Sequence, residues 1–264
     1  MYEFDYQKAA SLEDAAKFLA GHEDAKLVAG GMTLIPTLKQ RLAKPTDLID
    51  LASLPGLTGI KEEGGGVTIG AMTRHVEVNR SDVVKRVIPA LSNLAGLIGD
   101  PAVRNRGTIG GSISNNDPAA DYPSAVVALG ATVVTAKREI AGDDFFTGMF
   151  ETALAPDEIV TAVKFPKPQV AAYQKFKNPA SRYAIVGVFV ARTGSGVRVA
   201  VTGAGPCVFR VPEMEAALAK SFSADAIKDI AIPDDGLNSD IHASAEYRAH
   251  LVNVMARRAV AACA

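Results

Sequence analysis

The chain has 264 residues, 48% of them hydrophobic, with 28 basic and 29 acidic side chains and a formal net charge of −1. That balance gives no basic surface for nucleic acid or an anionic membrane, and no run approaches the roughly 20 apolar residues of a membrane span. Two cysteines, Cys207 and Cys263, and four scattered histidines argue against an iron–sulfur centre on this chain, a histidine-based metal site or disulfide stapling.

The start, Met1 to Tyr6, is acidic and aromatic and lacks the pattern of a signal peptide, so a cytoplasmic protein is expected. Ser11 with Asp14 three residues on opens a helix over 11–20, with Leu12, Ala15, Ala16 and Leu19 on one face. Residues 26–29 read as a short buried strand. It ends in Ala29-Gly30-Gly31-Met32-Thr33-Leu34, where Thr33 can cap a helix reaching about Leu42. Residues 47–51 form the next strand, which completes a small strand–helix–strand unit. A strand over 67–71 and one helix over about 83–98 follow. Then comes a second glycine turn, Thr108-Ile109-Gly110-Gly111-Ser112, with Ser114, Asp117 and Asp121 beyond it.

Residues 131–136 and 158–165 read as strands, and Pro166 and Pro168 mark a boundary. After it, strands over 183–191 and 197–202 flank a Gly194-Ser195-Gly196 hairpin, and helices cover 214–220 and 246–262. The pattern is α+β, with helices packed on more than one sheet.

The two glycine turns carry the chemistry. Paired glycines let backbone N–H groups approach a ligand with no Cβ in the way, and a following helix start favours an anion. The first turn is not a GxGxxG fingerprint, and no GxxxxGK loop occurs. Each also suits a plain tight turn. Thr108 and Ser112 can donate to phosphate oxygens, and Asp121 can accept from ribose hydroxyls or cap the helix that begins Tyr122-Pro123.

At these residues the chain resembles the FAD-binding medium subunit of molybdenum hydroxylases, the xanthine dehydrogenase and carbon monoxide dehydrogenase type. The resemblance rests on AGGMTLIP and DPAVRNRGTIGGSISNNDPAAD. It continues through DEIVTAVKFP, YQKFKNPASRYAIV and EYRAHLVNVMARRAV, and so covers nearly the whole chain. It implies an FAD-binding fold of the vanillyl-alcohol oxidase-like (PCMH) type over 1–167, with subdomains of about 1–55 and 56–167. An antiparallel sheet with packed helices, the family's C-terminal flavoprotein domain, would occupy 168–264. By the resemblance, Ala29, Gly30, Gly31, Met32, Thr33 and Leu34 grip the FAD pyrophosphate from one side. Thr108, Ile109, Gly110, Gly111, Ser112 and Ser114 grip it from the other. Asp121 would bind the ribose or adenine side, Ile98 would lie on the flavin ring, Val160 would lie near the ring or the adenine pocket, and Lys177 would approach the flavin, with Lys175 as runner-up. Met32 stands where some members of the wider fold carry a covalently linked histidine, so the FAD is expected to be non-covalent. Position 112 is Ser where relatives often carry Asn or Asp.

The same resemblance implies a large molybdopterin subunit and a small subunit with two [2Fe–2S] clusters, assembled as a dimer of heterotrimers. Electrons would then pass from the clusters to the flavin and on to an external acceptor. A self-sufficient flavin reductase on the same fold, of the cell-wall enolpyruvyl reductase kind, is the alternative. It would need a proton donor near the flavin that the sequence does not single out. A scaffold that has lost FAD is a third reading, opposed by both glycine turns being intact.

Overall fold

Strands β1 (Asp5–Lys8), β2 (Lys26–Val28) and β3 (Asp47–Asp50) form a parallel sheet in the order β1-β3-β2 in this computed structural model, which describes residues 1–263. Helix α1 (Leu12–Gly21) starts where the Ser11 hydroxyl accepts from the Asp14 amide. Helix α2 (Leu34–Lys39) is the crossover between β2 and β3. It is shorter than the expected helix to Leu42, and Thr33 stands at its cap position with no capping bond from its side chain.

The second layer is an antiparallel sheet in the order β4-β5-β10-β6-β7, comprising β4 (Ile60–Glu63), β5 (Gly66–Gly70), β6 (Thr132–Thr135), β7 (Glu139–Ala141) and β10 (Val160–Pro166). Between β5 and β6 the chain runs through six helices: α3 (His75–Arg80), α4 (Asp82–Val87), α5 (Pro89–Gly96), α6 (Pro101–Arg104), α7 (Ile109–Asn115) and α8 (Tyr122–Ala128). The single helix expected over 83–98 is therefore two. Pro89 has no N–H to donate and cannot sit in a helix interior, so the chain breaks at Ile88 and Pro89 opens α5. A one-turn helix α9 (Gly142–Phe145) and a small hairpin of β8 (Phe146–Gly148) and β9 (Glu151–Thr152) precede β10.

The third layer is a sheet in the order β11-β12-β13-β14, made of β11 (Val170–Lys177), β12 (Ala184–Thr193), β13 (Gly196–Thr202) and β14 (Phe209–Arg210). Helices α10 (Pro212–Lys220) and α11 (Ala245–Ala262) cover one face. Val186, Val188 and Val190 of β12 point to that face and share its core with Met214, Leu218 and Met255. Phe189 and Ala191 point the other way, into the core built by α5 and α8. Period-two alternation thus buries both faces of β12, which is why its sequence reads as a continuous apolar run. It also seats the C-terminal sheet against α5 and α8, the helices that precede and follow the second glycine turn in the chain.

Candidate functional site

Both glycine turns open onto one cavity of about 650 Å³. They also touch each other. A Cβ placed on Gly30 would lie 2.1 Å from the Arg106 carbonyl oxygen and 2.8 Å from Gly107 Cα, so only glycine lets the two backbones meet. On Gly111 a Cβ would come within 3.7 Å of Ala29 Cβ. Gly31 follows at φ +71°, a left-handed conformation that turns the chain into α2.

The two turns offer different donors. The amides of Gly31, Met32 and Thr33 have no acceptor among the described residues and lie in the cavity wall. In the second turn the amides are already engaged: Ile109 donates to Thr73 O, Gly110 to Ala71 O, Gly111 to Thr108 Oγ1 and Ser112 to Thr108 O. The hydroxyls of Thr108, Ser112 and Ser114 are side-chain donors on that side. Thr108 caps α7 through the Gly111 amide at 3.2 Å. Thr108→Ala is expected to lower stability by about 1 kcal/mol through loss of that cap. A urea titration whose midpoint is unchanged would show that the cap carries no weight.

Of the site residues inferred from sequence, Ala29 to Leu34, Ile98, Thr108, Gly110, Gly111, Ser112, Ser114, Asp121 and Val160 all line this cavity. Ile109 does not; its side chain is buried in the core behind the turn. Lys177 does not either. Tyr173, Lys175 and Lys177 share one face of β11 by alternation, but the register with β12 shifts between Phe176 and Lys177. That irregularity leaves Lys177 exposed while the Lys175 side chain is 2% exposed.

Asp121 occupies the cap position of α8 without capping it. Its carboxylate turns instead to the C-terminal sheet, where it accepts from the Tyr173 hydroxyl and, at 2.9 Å, from Lys175 Nζ. Burial pushes the Asp121 carboxyl up, against the opposing pull of Lys175 and Tyr173. Arg104 donates to the carbonyls of Ile98 and Gly99, both at 2.9 Å, and so holds the loop that presents Ile98.

The wall also contains residues that the sequence reading did not single out. Met72, His75, Leu154, Ile159, Arg182 and Tyr183 belong to it. His75 is 4% exposed, and burial, reinforced by Arg104, lowers its pKa to about 4. Its Nδ1 has no partner among the described residues. Asn178 builds the turn that brings Arg182 and Tyr183 to the cavity: its Oδ1 accepts from the amides of Ala180 and Ser181 at 2.9 and 3.2 Å. The Asn178-Pro179 pair, a turn-forming dipeptide, could have signalled that turn. His75 had none, because its contact with Gly107 reaches across the rest of α3 and the whole of α4, α5 and α6.

Among the described residues no group of His, Cys, Asp and Glu could hold a metal ion, and no helix is long and apolar enough to cross a membrane. Residues 2–168 match the family described as the FAD binding domain in molybdopterin dehydrogenase, and residues 171–263 match the CO dehydrogenase flavoprotein C-terminal domain. The chain is 38% identical to the nicotine 6-hydroxylase medium subunit of Paenarthrobacter nicotinovorans, over 97% of this chain and 95% of that one. It is 35% identical to the carbon monoxide dehydrogenase medium chain of Hydrogenophaga pseudoflava, over 97% and 96%. A solved structure of the Hydrogenophaga pseudoflava enzyme, in a form lacking the Mo-pyranopterin moiety, superimposes with a TM-score of 0.90 at 35% identity, covering 99% of this chain and 97% of its counterpart.

Proposed function

Because the chain belongs to the FAD-binding medium subunits of the molybdenum hydroxylases, we propose that it is the electron-exit subunit of such a complex, passing electrons from a partner's [2Fe–2S] clusters to an external acceptor. Large molybdopterin and small iron–sulfur subunits would complete a cytoplasmic dimer of heterotrimers. The observation that carries this reading is the one cavity shared by both glycine turns, with three unpaired amides on one side and three hydroxyls on the other.

The residues present fit an FAD. A volume of about 650 Å³ lies within the roughly 300–1,000 Å³ of ligand sites. The amides of Gly31, Met32 and Thr33 would hold one side of the pyrophosphate at the start of α2, where the helix dipole favours negative charge. Thr108, Ser112 and Ser114 would donate from the other side. Leu27, Met72, Ile98, Ile159 and Val160 supply the apolar wall that excludes water from a ring. With Met32 in the first turn and no histidine there, the FAD would be held without a covalent link.

When bound, the flavin supplies the ability to take up electrons singly or in pairs and to release them in either mode. The chain's own task is binding, orientation and exclusion of solvent. Purified with its partners, the protein should carry one FAD per copy of this chain, and the iron and molybdenum should leave with the other subunits when the complex is taken apart. A complex with no flavin would overturn the reading. Rapid NAD(P)H turnover by the isolated chain would favour the self-sufficient reductase instead.

A further inference from the structure

Just past the end of helix α5, three successive carbonyls each face a cation. Lys175 Nζ donates to Leu97 O at 3.2 Å, Arg104 Nη1 to Ile98 O and Gly99 O at 2.9 Å each, and Arg182 Nη1 reaches Gly99 O at 3.5 Å. Leu97 is the C-cap of α5, so the cations gathered at this end satisfy loop carbonyls and lie on the negative side of the helix dipole. Gly99 at φ +50° then turns the chain away, leaving Ile98 on the cavity wall.

Lys175 differs from the two arginines. It comes from β11, in the C-terminal sheet, and its ammonium also meets Asp121 Oδ2 at 2.9 Å. The Lys175 and Asp121 side chains are 2% and 4% exposed, and the Tyr173 hydroxyl donates to the other carboxylate oxygen. One buried cation therefore ties together two separate parts of the cavity wall, the Leu97–Gly99 loop and Asp121. A surface lysine would carry a median benefit near zero; a fully desolvated pair with hydrogen bonds on both partners fixes geometry instead.

Taking the cavity as the FAD site, we propose that Lys175 is a positioning residue. Through Asp121 and the Leu97 carbonyl, it sets the wall that Ile98 presents to the flavin and so couples the C-terminal sheet to cofactor binding. It does this without touching the cofactor. Asp121 is accordingly an anchor of the wall, with both carboxylate oxygens already serving protein donors, and a ribose contact from it would be an additional bond.

The test compares K175M and K175R in the assembled complex, with R248M as a control. Arg248 is a buried cation of the same domain, paired with Asp240 at 2.8 Å and outside the cavity lining. FAD affinity, the flavin absorption bands, the flavin midpoint potential and the melting temperature are measured for each. K175M is expected to weaken FAD retention by roughly tenfold or more, and to move the bands and the potential. K175R should restore most of both. R248M should lower the melting temperature and leave bands and potential where they are.

If K175M melts earlier but keeps wild-type affinity, bands and potential, the positioning role is overturned while the FAD site stands. Failure of K175R to recover the flavin properties would also overturn it. If the wild-type complex itself binds no FAD, the site reading falls and takes this proposal with it.

Discussion

Gly30→Ala is expected to strip FAD from the assembled complex. The added methyl group would lie 2.1 Å from the Arg106 carbonyl oxygen and 2.7 Å from its carbon. Those are backbone atoms, with no flexible side chain that could swing aside. Arg106 and Gly107 are themselves held: the Arg106 and Gly107 amides donate to Val103 O, and Gly107 O accepts from the His75 amide at 3.0 Å. The first turn must therefore move outward, carrying the free amides of Gly31, Met32 and Thr33 with it.

Overpacking of this kind costs about 1–3 kcal/mol, and a binding constellation tolerates displacements of only about 0.5 Å. A loss of about 2 kcal/mol in FAD binding corresponds to about thirtyfold in affinity. Gly21→Ala is the matched control, since a Cβ there meets nothing within 4 Å. Its effect on FAD should be nil. FAD content after gel filtration and a direct affinity measurement read the difference. Wild-type affinity in Gly30→Ala would mean that the contact between the turns does not shape the site.

What was readable in the sequence follows the range of the interactions involved. The glycine turns were legible because their signature is local, namely a strand end, paired glycines and a hydroxyl three residues before the amide it caps, although the Gly30–Arg106 contact that demands glycine is long-range. Helix α1 was legible through Ser11 and Asp14 for the same reason. Pro89 was an equally local signal, and it outweighs the apolar periodicity that made 83–98 look continuous. The choice between Lys175 and Lys177 was not local. Both belong to one face of an ideal strand, and only the irregular pairing of β11 with β12 decides which is buried. Asp121 is similar. From sequence it could cap α8 or accept from a sugar, whereas its partners Tyr173 and Lys175 arrive from more than fifty residues away.

Acid should destabilise the protein in a window set by His75. The imidazole is buried between Gly107 and the Tyr122 ring, whose centroid is 5.4 Å away. A Cβ on Gly107 would fall 2.5 Å from its Nε2, so the ring fills that space. Burial first, and Arg104 second, lower its pKa to about 4. The folded state therefore keeps it neutral, while the unfolded chain binds a proton below about 6.5.

The sign follows from proton counting. Above pH 6.5 neither state binds the proton, and the contribution to stability is complete. Between 6.5 and about 4 the unfolded state binds more protons, so stability falls as the pH falls, by about 3 kcal/mol in total. Glu158 acts in a separate window. Its hydrogen bond with Arg138 holds the carboxyl at about 2, so its contribution is lost only as the pH drops through 4.5 toward 2. Urea midpoints measured from pH 7 to pH 4 should show the first loss in the wild type, with FAD release accompanying it because His75 backs the second turn. His75→Gln should begin less stable at pH 7, through poorer packing, and lose markedly less on acidification. A constant difference between the two proteins across that range would remove His75 as the cause.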